Sequence, residues 1–167
     1  MNQDAKKAAL RMIPYGLYVL TADDGKGNIA AATINFVTQS SFAPPLVTLA
    51  VKADSGAYAI LKQSGAFALN VLGKDQKGAA FAFFKPAKLE GDKISGMAFT
   101  KGAVGAPLLS DAPAAIECRV KKIVEEGDHH VVVAEVVEAH LNKPVSGRPD
   151  LVTLEMRDLG DNVFYGG

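Results

Sequence analysis

Thr33, Asn35, Thr38 and Ser40 crowd into one stretch, AAATINFVTQSSFAPPLVTLAV at residues 30–51, and all of them are neutral hydrogen-bonding side chains. Such groups recognise the edge of a polar ring system. They do not supply a nucleophile or an acid–base pair. Ala30, Ala31 and Ala32 just before them leave space for something flat to approach the backbone. The segment reads as strand (30–35), polar turn (36–45) and strand (46–51), with Pro44-Pro45 unable to continue a ladder. The same composition equally describes a polar loop between strands, stiffened by its prolines.

Three further positions carry chemistry by type. Lys52 and Ser55 precede a short helical pattern at 56–63, where Asp54 or Ser55 serves as the N-cap. There Ser55 either only caps the helix or, with Lys52 and the free N–H groups of the first turn, cradles one phosphate. Lys85 follows a helical pattern at 76–84 and is either a phosphate contact or a solvated cation at a helix end. His129, just after Asp128 at a strand start, is either a ligand donor or an exposed turn histidine. Its neighbour His130 points to the opposite face of a strand, so the pair cannot chelate one metal within a subunit, and no metal site is expected.

Other signals are absent or deceptive. The chain has no P-loop, H-E-x-x-H, C-x-x-C or G-x-S-x-G pattern. Gly25-Lys26-Gly27-Asn28-Ile29-Ala30 matches the dinucleotide fingerprint, but the residues after it are short-run and β-branched rather than helical, which predicts a hairpin. The single cysteine, Cys118, excludes an intramolecular disulfide and falls on the apolar face of an alternating strand, as a buried structural thiol.

The elements that must position these residues follow from the pattern. A helix is expected at 2–12, a strand at 16–21, and after the segments above a strand at 66–72. Residues 89–96 read as loop and 97–109 as a glycine-punctuated region with one short strand. At 114–123 Ile116, Cys118 and Val120 share one face, with Glu117, Arg119 and Lys121 on the other. The strand at 129–139 is valine-rich on both faces, so it is central or meets a second subunit. An antiparallel meander with short helices predicts a small β-barrel in one domain, residues 1–167. The balance of 18 Lys+Arg against 18 Asp+Glu gives no basic footprint for nucleic acid. No segment has membrane-spanning or signal-peptide character, so a soluble, cytoplasmic protein is expected.

Taken in order, this opening stretch, Phe67-x-Leu69-Asn70-Val71-Leu72, Gly105-x-Pro107-Leu108-Leu109, Ile116-Glu117-Cys118-Arg119-Val120 and Gly127-Asp128-His129 resemble the flavin reductase-like FMN-binding split-barrel family over residues 12–140. The wording at Gln39-x-Ser41-Phe42-x-Pro44-Pro45 is most similar to flavin reductase domains of diflavin proteins and to flavoredoxin-like carriers. The resemblance implies a six-stranded antiparallel Greek-key split barrel, a homodimer, and one non-covalent FMN per subunit. It places Thr33, Ile34, Asn35 and Phe36 along the isoalloxazine, and Thr38 and Ser40 towards the ribityl chain. It assigns Ala50, Val51, Lys52 and Ser55 to the phosphate side, Phe84 and Lys85 to a second contact, and His129 to the place where a nicotinamide would stack. The implied activity is hydride transfer from NAD(P)H to flavin. An FMN electron carrier reduced by a protein partner is the alternative, and a split barrel holding another planar ligand a third. Asn35-Phe36 departs from the small hydroxyl or Ser-Trp pair of many relatives, and Asp158 replaces a cation in the final segment, Arg157-x-x-Gly160…Tyr165.

Overall fold

The computed structural model describes residues 1–167. Helix α1 (Gln3–Arg11) is capped by Asn2, whose side-chain oxygen accepts from the Ala5 N–H at 3.0 Å. Strands β1 (Tyr18–Asp23) and β2 (Ile29–Ile34) form a hairpin in register from Tyr18 opposite Ile34 to Asp23 opposite Ile29. Gly25 and Gly27 take φ of +71° and +100° in its turn, and Asp24 Oδ1 accepts from the N–H groups of Lys26 and Asn28. No helix opens behind these glycines, so their dinucleotide-like spacing belongs to a hairpin turn.

The chain continues through β3 (Val37–Ser41), β4 (Leu46–Lys52), α2 (Gly56–Ser64), β5 (Ala66–Val71) and α3 (Lys77–Ala82). Next come the short strands β6 (Leu89–Glu90), β7 (Lys93–Ile94), β8 (Met97–Lys101) and β9 (Pro107–Leu109). The long hairpin of β10 (Ala114–Val124) and β11 (His129–Leu141) is followed by the one-turn helix α4 (Pro149–Val152) and a 3-10 turn at Met156–Leu159. A seven-stranded antiparallel sheet runs β2-β1-β5-β10-β11-β4-β3, and β6 to β9 form a second sheet of four.

The edge strands of the large sheet, β2 and β3, are consecutive in sequence and joined only by Asn35 and Phe36. Such a link spans about 11 Å at most, so the sheet must curl until its edges meet. The Ala50 N–H donates to the Phe36 carbonyl at 2.9 Å and ties the link to β4. Here lies the difference between the six strands expected and the seven found: β2 and β3 are two halves of one bent stave, divided at Asn35-Phe36. The expected polar turn at 36–45 is correspondingly shorter, because its first half pairs with β4. Residues 89–96, expected as loop, form the β6–β7 hairpin, and 97–109 supplies two strands where one was expected. Two-residue strands are too short for alternation to be read.

Alternation along β1 separates two cores. Leu20 and Ala22 point into the barrel with Leu49, Val51, Phe67, Leu69, Cys118 and Val132, where Ala57, Tyr58 and Leu61 of α2 join them. Leu17 and Val19 point outward, under a layer made by Ala79, Ala80 and Phe83 of the α3 region and by Leu154, Met156 and Leu159. Glu117, expected on a polar outer face, is instead fully buried. The segment 102–104 folds over it: the Val104 N–H donates to Glu117 Oε2 at 2.7 Å, and His140 Nε2 lies 2.7 Å from Oε1. No helix is long and apolar enough to cross a membrane.

Candidate functional site

The bend at Asn35-Phe36 opens a cavity of about 310 Å³. One wall is β2, from Ala32 to Ile34, and the bend itself. Thr33 fastens that wall to the α3 region, its hydroxyl donating to the Ala80 carbonyl at 2.8 Å and its N–H to the Phe83 carbonyl at 3.1 Å. Phe83 and Phe84 at the end of α3 therefore line the same space. Ala50, Val51 and Lys52 of β4 form a second wall, which ends at Ser55. His129 is opposite Lys52 in the β4–β11 register and so reaches the cavity from the neighbouring strand.

Ser55 caps α2, accepting from the Tyr58 N–H at 3.1 Å, while its own hydroxyl donates to the Lys52 carbonyl at 2.7 Å. Lys52 Nζ pairs with Asp54 at 3.0 Å in an exposed contact, and that hydrogen bond holds the ammonium pKa above its ordinary value. Lys52 thus stays cationic at the cavity's end.

Aromatic groups gather at the bend. Phe36 packs against Tyr15, His129 and Tyr165 with ring centroids 5.3, 5.4 and 5.8 Å apart. His129 Nδ1 lies 2.9 Å from Asp128 Oδ1 and Nε2 lies 2.8 Å from the Tyr165 hydroxyl. The bond from His129 holds the Asp128 carboxyl below its usual range. Burial raises the Tyr165 phenol above its ordinary value, Asp128 and Asp54 adding to this against Lys52. The phenol is therefore protonated near neutral pH, and its hydroxyl occupies His129 Nε2 as Asp128 occupies Nδ1.

Of the residues singled out in the sequence, Thr33, Ile34, Asn35, Phe36, Ala50, Val51, Lys52, Ser55, Phe84 and His129 meet around this cavity. Lys85 lines the adjoining one, beside Ser55 and Phe84. Thr38 and Ser40 are not brought in: β3 leaves the cavity after the bend, both side chains are exposed, and the Ser40 hydroxyl accepts from Thr48. Sequence reasoning missed Leu17, Phe83, Met156 and Tyr165. Met156 and Tyr165 arrive from the final segment, because the Leu154 N–H donates to the Leu72 carbonyl, the Leu17 N–H to the Leu154 carbonyl and the Met156 N–H to the Tyr15 carbonyl. Bridges from Gly16 to Glu155 and from Gly73 to Thr153 complete this return, and nothing in its composition announces it.

Two donors at the bend fit a planar ligand with acceptors on its edge. The backbone N–H groups of Asn35 and Phe36 find no acceptor within the protein. The lining is otherwise apolar or neutral, with Lys52, His129 and Tyr165 as its titratable groups. Such a site binds and orients, and leaves the reactive chemistry to a bound cofactor.

The flavin reductase like domain matches residues 10–157. The chain belongs to that family. It is 30% identical over 132 residues to "Flavin reductase" of Pseudomonas putida, covering 79% of this chain and 76% of that one. It is 33% identical over 121 residues to "Probable flavin reductase" of Rhizobium meliloti, of which it spans only 38%. Among solved structures, the styrene monooxygenase flavin reductase of Pseudomonas putida S12 superposes with a TM-score of 0.71 at 30% identity, covering 86% of this chain and 89% of that one. BorF, the flavin reductase component of a bacterial two-component tryptophan halogenase, shares the fold at 23% identity, with a TM-score of 0.76 over 98% of this chain and 96% of its own. The curled sheet is the split barrel of this flavin reductase family.

Proposed function

We propose that the protein is a flavin reductase that holds one FMN non-covalently at the Asn35-Phe36 bend and takes its electrons from NAD(P)H. The observation that carries this reading is the pair of unpartnered N–H groups on Asn35 and Phe36, beside a mostly apolar cavity with Lys52 at one end, in a member of the flavin reductase family. A flavin held there would supply the redox chemistry, acceptance of a hydride from a reduced nicotinamide, while the protein's residues would hold it and leave room for the donor.

The protein's residues bind and aim. The two bend N–H groups would donate to the polar edge of the ring, where negative charge gathers on reduction. Phe84 and Ala50 offer apolar contact on either side, and the small side chains at Ala32 and Ala50 let the ring lie close to the backbone. Lys52 and the N–H groups of Gly56 and Ala57, at the start of α2, suit a single terminal phosphate and favour FMN over a flavin without one. His129 stands at the cavity mouth, where it can orient the carboxamide of the donor. A nicotinamide–flavin reductase named NADH:FAD oxidoreductase, SgcE6 of Streptomyces globisporus, shares the fold at 31% identity with a TM-score of 0.68, in keeping with a nicotinamide donor. A second copy of this chain completes the assembly over the outer face of β4 and β11.

Binding and reduction test this together. Riboflavin, FMN and FAD are titrated against the wild type and Lys52→Ala, and the loaded protein is then mixed anaerobically with NADH or NADPH. FMN should bind more tightly than riboflavin, Lys52→Ala should remove most of that difference, and the flavin absorbance should bleach with at least one donor. A bound flavin that neither nicotinamide bleaches would leave an electron carrier reduced by a protein, and no binding would overturn the reading altogether.

A further inference from the structure

Tyr165 stands between the flavin cavity and a second cavity of about 410 Å³. It shares with Met156 the role of lining both. On the flavin side its hydroxyl holds His129 Nε2 at 2.8 Å, while Asp128 holds Nδ1 at 2.9 Å. An imidazole has two ring nitrogens, so His129 has no hydrogen-bonding capacity left for a donor while Tyr165 is docked. The Tyr165 ring also packs on Phe36 and on the His129 ring, with centroids 5.8 and 5.7 Å apart, and so fills the mouth of the cavity beside the bend.

We propose that Tyr165 gates the approach of the nicotinamide: its phenol occupies the space from which the donor would reach His129 and the flavin, and the donor binds only when the ring swings away. This deepens the flavin reductase reading and rests on it.

The attachments of the segment suit such movement. Between Val163 and Gly167 it belongs to no ladder. Apart from the Tyr165 side-chain contacts above, its hold on the body consists of the Asn35 side-chain amide donating to the Tyr165 carbonyl at 2.9 Å, and of Arg11, whose Nε donates to the Gly166 carbonyl at 3.3 Å and whose guanidinium lies 4.1 Å from the Phe164 ring centre. Phe164 and Tyr165 are about half exposed, at 52% and 45%. Gly160 and Gly166 flank them with φ of +140° and +130°, backbone that a side chain would oppose. The displaced ring has somewhere to go, since Met12, Tyr15, Met156, Val163 and Phe164 give the second cavity an apolar side, with Arg11, Glu155, Arg157 and Asp161 also on its lining. Asn35 belongs to the flavin-lining bend, so the same side chain touches the cofactor site and the gate.

A closed gate lowers apparent donor affinity by the fraction of molecules that stand open. Three variants separate this from a fixed wall. Tyr165→Phe keeps the ring and frees His129 Nε2, Tyr165→Ala removes the ring, and Arg11→Ala loosens the segment from outside the flavin cavity. Flavin dissociation constants are measured first on the oxidised proteins, then the donor concentration giving half-maximal bleaching rate under anaerobic conditions. With a gate, that concentration falls in all three variants, by about three- to tenfold in Tyr165→Ala and less in the others. Arg11→Ala decides most sharply, because Arg11 holds the segment but does not line the flavin cavity, so it acts on donor binding only if the segment moves. A donor requirement that rises or stays constant in Tyr165→Phe and Arg11→Ala, with flavin still bound, overturns the gate and leaves the flavin reading standing. Flavin lost from the Tyr165 variants but kept by the wild type makes Tyr165 a flavin contact and also overturns it. A wild type that binds no flavin removes both.

Discussion

Glu117 shows how far a single residue can depart from what its pattern suggests. In sequence it alternates with Cys118 and should face water, yet it is the only fully buried carboxylate. Burial opposes its ionisation, but the Val104 N–H, His140 and the Ala103 N–H together outweigh burial and hold its pKa below the ordinary value. A pKa lower in the folded than in the unfolded state stabilises above the unfolded carboxylate range, and that contribution disappears as pH falls through the folded value. Glu117→Gln should therefore cost about 2–4 kcal/mol at pH 7, since its amide NH₂ would face a donor. Urea unfolding at pH 7 and at pH 3.5 checks this: the difference between wild type and variant should narrow in acid, and an unchanged difference would remove the charge from the account. Cys118, one position on, was legible. It faces the barrel interior, and burial followed by the nearby Glu117 charge pushes its thiol up to about 12. What misled at Glu117 was the segment 102–104, which converts a solvent face into a buried one from far along the chain. Alternation reports the two faces of a strand but not what covers them.

At the scale of elements, the site depends on how α3 is fixed against β2. Thr33 was expected to lie along a bound ring, and it does line the cavity, but its hydroxyl and N–H are both spent on α3 carbonyls. Thr33→Val preserves shape and deletes the hydroxyl. Stability should fall by about 1 kcal/mol and flavin affinity by roughly three- to tenfold, as Phe83 and Phe84 shift with the loosened helix. Denaturant unfolding and flavin titration read the two effects separately, and weaker flavin binding with no loss of stability would point to a direct hydroxyl contact instead. The elements carrying most of the cavity were readable because each has a local signal: the small and β-branched residues of β2 and β4 and the cap at Ser55. β3 was read as turn because Thr38, Gln39 and Ser40 are polar, and they are polar because that strand is an exposed edge. The segment bearing Met156 and Tyr165 has neither period nor turn signature, and long-range bonds to Leu17, Leu72 and Tyr15 decide its place.

Across the whole molecule, one surface joins the cavity to the proposed second subunit. Residues paired directly across two antiparallel strands share a face, so Ala50 and Lys52 of β4 lie on the same side as Val131 and His129 of β11. Further along, Thr48 opposes Val133 and Leu46 opposes Glu135, so Leu46, Val131 and Val133 share this face with the polar Thr48 and Glu135. Val137, at the register shift of the β10–β11 pair, is 42% exposed. This face begins at the cavity and covers β4 and the first half of β11, so a copy seated on it would border the cavity, and a stable interface would bury roughly 800 Å² per partner. The zero net charge leaves no long-range repulsion to oppose association. Light scattering should therefore give twice the 17.5 kDa subunit mass. Val133→Lys should yield monomers whose melting temperature no longer rises with protein concentration, and whose flavin affinity drops because the cavity has lost a neighbour. A wild type that remains monomeric at concentrations where flavin binds fully would separate the cavity from any interface, and the outward valines of β11 would then have to serve a different partner.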